Sequence, residues 1–160
     1  MIERTNNIIN NELSAIHPTV ETHGSSRTTL INLKIVNTLR SAGDFLSNAN
    51  KLFNQNIVFN TLLIECLSKL ACNTVYKTMC DKDYDFNCRE HEANLVFMWG
   101  CCVESIGLLR DFRNMTNDKC VFFITRKVAD MLLDAKGLIE HELPTERFCQ
   151  SDKKNKEQTE

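Results

Sequence analysis

"LVFMWGCCVESIGLL", residues 95–109, is the stretch that most constrains what this chain can fold into. It is apolar on almost every helical face, so a helix formed here must be wrapped by other elements rather than laid on a surface. It falls short of the ~18–20 apolar residues needed to cross a bilayer and is broken by Glu104, so the expectation is a core helix, not a span. With 160 residues, the chain is long enough for one domain with a single sizeable core and too short for two. Only two prolines and five glycines occur, and strand-like alternation is scarce, so the wrapping elements should be helices too.

Periodicity places them. Ile8, Ile9, Leu13 and Ile16 share one face of a first helix over 3–16. Residues 17–28, "HPTVETHGSSRT", read as the one long loop. A second helix is expected over 29–48, a helix or helix pair over 57–80, and a polar break at "DKDYDFN", 81–87. The central helix should cover 88–112, and a last amphipathic helix 119–142, closed by Pro144. The sum is an all-α bundle of about seven helices, one domain over 1–148, with a polar, disordered tail at 149–160.

The second helix carries an anomaly. Ile35, Leu39, Ala42 and Leu46 form an apolar stripe spaced four, three and four, yet Gly43 and Asp44 sit beside it. A glycine in a helix interior costs about 1 kcal/mol relative to alanine, and aspartate is also a poor helix former. The reading is that Gly43 permits close approach and Asp44 supplies a placed charge.

Charge and cysteines narrow the function. The net charge is −2, and no clustered basic face marks a nucleic-acid binder. Eight cysteines invite a disulfide framework, but "MIERTNNIINNELSAIHPT" has no apolar signal core, so reduced thiols are expected. Cys80, Cys88 and His91 are the sharpest metal candidates, but they match no compact zinc spacing, so no metal and no cofactor are expected. Cys88 with His91 and Cys149 with His141 are the only nucleophile–base pairings to consider. Neither sits in a glycine-rich elbow, and a non-enzyme is expected.

"TLRSAGDFLS" resembles the third homology region (BH-3) of the Bcl-2 apoptosis regulators, through Leu39, Gly43 and Asp44 with Ile35, Ala42 and Leu46 around them. A second match lies in "NCREHEANLVFMWGCCVES", where Asn87 and Cys102-Val103-Glu104-Ser105 keep the family's separation across its central helix. The resemblance covers residues 29–142. Cys88-Arg89-Glu90 then stands where the family has Trp-Gly-Arg; the other register puts Trp99-Gly100-Cys101 there. The Gly-Gly-Trp ending of the second homology region and the membrane tail have no counterpart. Such departures resemble virally encoded members.

The resemblance implies a Bcl-2-like bundle that captures the amphipathic death-motif helix of pro-apoptotic partners in a groove, read through apolar anchors. Leu46, Phe53 and Ile57 would form its floor and near wall, Tyr76 and Met79 its far wall, with Ala93 and Phe97 on the central helix. Asn87 would cap that helix and bond the ligand, and Arg89 would meet the ligand's aspartate. A soluble protein of the host-cell cytoplasm is implied, without a membrane anchor, recruited to mitochondria through its partners. Self-association through the open groove, giving a homodimer, is also expected. The alternative of another class is a Bcl-2-fold inhibitor of innate-immune signalling that masks an adaptor, with its groove closed.

Overall fold

The computed structural model describes residues 23–144, with side chains from Thr29 onward. The expected first helix over 3–16, the tail over 149–160 and Cys149 lie outside the described residues. The chain divides into two compact units, Met1–Leu30 and Ile31–Glu160. Of the first, residues 23–30 are described, and all are helical.

The described residues form five helices and no strand: α1 (His23–Leu52), α2 (Ile57–Leu70), α3 (Thr74–Met79), α4 (His91–Met115) and α5 (Lys119–Glu142). The expected loop over 17–28 is corrected in its second half, because the helix already runs from His23. Serine and a lone glycine weaken a helix only modestly, and the long stripe that follows propagates it backwards. The region 57–80 resolves as the pair α2 and α3. A single residue manages the join. Asn73 Nδ2 donates to the carbonyls of Lys69 and Leu70 at the end of α2, and its Oδ1 accepts from Tyr76 N at 2.7 Å to open α3. Asn56 caps α2 through Phe59 N, and Asp118 caps α5 through the backbone N–H groups of Cys120 and Val121.

The central helix begins three residues later than expected, and Asn87 does not cap it. Asp85 Oδ1 holds the Asn87 N–H at 2.9 Å in a tight turn, and His91 N–H returns to the Cys88 carbonyl. Those bonds commit residues 85–91 to turns, so the N-cap position falls to Glu90, which makes no side-chain capping bond.

In the second unit the apolar stripe of α1 faces inward: Ile35, Leu39, Ala42 and Leu46 are all fully buried. They join α2, α4 and α5 in one core that includes Phe59, Met98, Leu109 and Leu132. The Phe59 ring meets Phe53 edge-on with centroids 5.0 Å apart and stacks on Phe112 at 5.6 Å. At 25 residues, α4 as a whole is long and apolar enough to cross a membrane, which the shorter run 95–109 is not; its buried face packs in the core.

Gly43 behaves as its position demanded. A Cβ there would lie 2.7 Å from the Tyr76 hydroxyl and 3.3 Å from the ring carbon that bears it, so any side chain at 43 would have to push the Tyr76 ring aside. Arg40 Nη2 ties the same junction by donating to the Cys80 carbonyl at 2.7 Å. Asp44 is exposed and forms no ion pair among the described residues.

Candidate functional site

The outward stripe of α4 reads Ala93, Phe97, Gly100, Glu104, spaced four, three and four, and therefore lies on one helical face. Phe97 is 48% exposed, an unusual state for a phenylalanine on the core helix. The stripe forms one side of a cleft of about 360 Å³. Val96, Phe97, Gly100 and Cys101 supply the apolar side, and Ser68 and Lys69 at the end of α2, with Asn73 at the start of α3, supply the rim. Gly100 has nothing within 4 Å of where a Cβ would sit, so it leaves open space on the cleft wall. Lys69 Nζ closes one end with a 3.2 Å ion pair to Glu104 Oε2. Both partners are solvated, and such a pair contributes at most about 1 kcal/mol, so a ligand can displace it.

Only part of the expected groove assembles here. Ala93 and Phe97 share the stripe, with Arg89 exposed in the turn four residues before Ala93. Asn87 is exposed in the same turn segment, its backbone N–H already held by Asp85. Leu46 and Met79 are corrected: they are 0% and 1% exposed and belong to the core, so no ligand reaches them in this conformation. Their periodicity was equally compatible with either side of a wall, and core burial wins. Tyr76 is half-buried over Gly43, and Phe53 is occupied by Phe59. Ile57 stands 78% exposed at the start of α2.

A buried polar network at the head of α4 had no counterpart in the sequence reading. His91, only 8% exposed, places Nε2 2.9 Å from Asn32 Oδ1 and Nδ1 2.7 Å from the Tyr84 hydroxyl. With the Asn32 amide oxygen toward the ring, Nε2 carries the proton and Nδ1 accepts from Tyr84 O–H, and Asn32 Nδ2 is buried with no partner among the described residues. Tyr84 also accepts from Asn94 Nδ2 at 3.1 Å, and the Cys88 thiol lies 3.7 Å from the same oxygen. The Cys88 thiol is thus set against a phenol, while both imidazole nitrogens are engaged elsewhere. No group of three or more His, Cys, Asp or Glu side chains able to hold a metal occurs among the described residues.

Burial holds the His91 pKa below its ordinary value, against a weaker upward pull from Asp85. The unfolded chain, with a histidine pKa of about 6.5, therefore takes up a proton before the folded one does. Stability should be level above that value and fall as pH drops through it, flattening once the folded state protonates as well. Urea unfolding between neutral pH and the mid-fives checks this. His91→Gln should remove the slope in that window, and an unchanged slope would assign it to other groups.

The seven described cysteines are free. Burial pushes the thiols of Cys66 and Cys102 up to about 12 and that of Cys101 up to about 11. Thiols held that far above their ordinary value carry almost no thiolate at neutral pH. In the native protein, a disulfide reagent should label exposed Cys72 and Cys120 promptly and these three only on denaturation. Rapid native labelling of Cys102 would mean that the core opens readily.

Compared with known proteins, the chain matches no family model, no curated protein and no solved structure.

Proposed function

We propose that the protein is a Bcl-2-like inhibitor of apoptosis, virally encoded and acting in the host-cell cytoplasm. It binds the amphipathic death-motif helix of pro-apoptotic partners along the outward stripe of α4. The observation that carries this reading is Phe97, an aromatic anchor left half in solvent on the core helix, beside a cleft sized for side chains. Further support comes from the Gly-Asp helix, whose stripe packs inward while Gly43 admits Tyr76, the arrangement the BH-3 resemblance implies. The order of helices, with an apolar helix following the Gly-Asp helix, is compatible with the seven-helix bundle of that family. No catalytic step belongs to this role.

Binding would work by burial. Each ligand anchor seated in the cleft is worth about 1.5–3 kcal/mol gross, and association costs bring the net to micromolar or nanomolar affinity. Arg89, exposed beyond the Ala93 end of the stripe, would meet a ligand carboxylate. Calorimetric titration with a panel of death-motif peptides tests the reading, and failure to bind any of them by folded protein overturns it. A double-mutant cycle with Arg89→Ala and the peptide's aspartate replaced by alanine then decides Arg89's part: additive losses would deny the pairing.

The second reading, an immune-signalling inhibitor with a closed groove, is favoured by the burial of Leu46 and Met79. It predicts a protein that ignores every such peptide.

A further inference from the structure

We propose that the outward face of α5 is a self-association surface, pairing antiparallel with α5 of a second copy about a two-fold axis near residues 128 and 129. Phe123, Lys127, Asp130 and Asp134 are spaced four, three and four along one stripe, with Arg126 beside it. All five are exposed, Phe123 at 62%. The face lies opposite Val121, Val128, Leu132 and Ile139, which are buried in the core.

The charges on this face are ordered and unspent. Arg126 and Lys127 precede Asp130 and Asp134, so the stripe has a basic half and an acidic half. None of the four forms an ion pair among the described residues, whereas one turn further on Lys136 and Glu140 pair at 2.7 Å. Lys127 instead rests over the Phe123 ring, 5.9 Å from its centroid. A parallel copy would set lysine against lysine. An antiparallel copy sets Lys127 against the partner's Asp130, and by symmetry the reverse, with Arg126 one turn from the partner's Asp134. Phe123 then stands opposite the partner's Asp134, with the partner's Met131 one turn away. The face is self-complementary in one orientation only, which is what selects a second copy of this chain as its occupant.

Area sets the strength. A helix of 24 residues is about 36 Å long, and its contact strip supplies roughly half of the ~800 Å² per partner of a standard interface. The dimer should therefore be weak and transient, populated only toward the top of the protein concentration range. It uses neither the α4 cleft nor its proposed ligand, so its success or failure is independent of that reading.

Sedimentation velocity of the full chain, from low micromolar to millimolar concentration, tests it. The wild type should shift from monomer toward dimer, less so in high salt. Lys127→Asp and Asp130→Lys should each weaken dimerisation by about tenfold or more, because each sets like charges face to face twice. The double variant K127D/D130K should restore it. A wild type that stays monomeric throughout, a dimer indifferent to both single reversals, or a double variant that fails to recover would each overturn the proposal.

Discussion

Leu39→Ala is expected to destabilise the protein by about 2–5 kcal/mol, the range for removing a fully buried leucine and leaving a partly collapsed cavity. Leu39 is 0% exposed at the middle of the α1 stripe, so none of its side chain is in water before the change. Against a total stability of about 5–15 kcal/mol this is a severe loss, and at about 2–4 °C per kcal/mol it lowers the melting temperature by roughly 5–20 °C. Leu33 lies on the same helix at 42% exposure, and Leu33→Ala should change far less. Equilibrium urea unfolding of the two variants makes the comparison. Equal losses would mean that the stripe does not face the core.

Phe97→Ala should behave in the opposite way, costing affinity and not stability. Truncating a central aromatic anchor typically removes about 2 kcal/mol or more of binding, some thirtyfold in Kd or beyond. Because the ring is already half in solvent, the melting temperature should move by no more than about a few degrees. Calorimetry with the tightest death-motif peptide, paired with thermal unfolding, separates the two effects. A variant that loses stability while keeping its affinity would make Phe97 a packing residue and move the ligand elsewhere.

Local patterns were legible in the sequence wherever one face of one helix decided the outcome. The inward stripe of α1, the close approach at Gly43 and the span of α5 from Lys119 to Glu142 were all readable from spacing and from Pro144. Pairings between distant residues were not. His91 and Asn32 are 59 positions apart, and nothing in either neighbourhood announces the other. Leu46 and Met79 were misplaced for a related reason. An apolar position on a helix that lines a groove and also roofs a core is consistent with both, and only the depth of packing separates them. Asn87 failed more locally: Asp85, two residues earlier, folds it into a turn, as short acidic side chains do, and the helix starts only at His91, out of reach of an Asn87 cap.

Trp99 is the only tryptophan in the chain, and its indole N–H donates to Glu140 Oε1 at 2.9 Å, from the middle of α4 to the end of α5. The Lys136 ammonium engages the same carboxylate, and together these bonds hold Glu140 below its ordinary pKa. The protein therefore carries a built-in optical probe of that seam. Its emission wavelength and quenching report whether the two long helices are still closed upon each other, without a label and without a mutation. Separation of α4 from α5 would release the indole to water and shift its emission to the red, while fraying at distant helix ends would leave the signal unchanged. A single fluorophore thus distinguishes opening of this seam from unravelling of the chain's periphery.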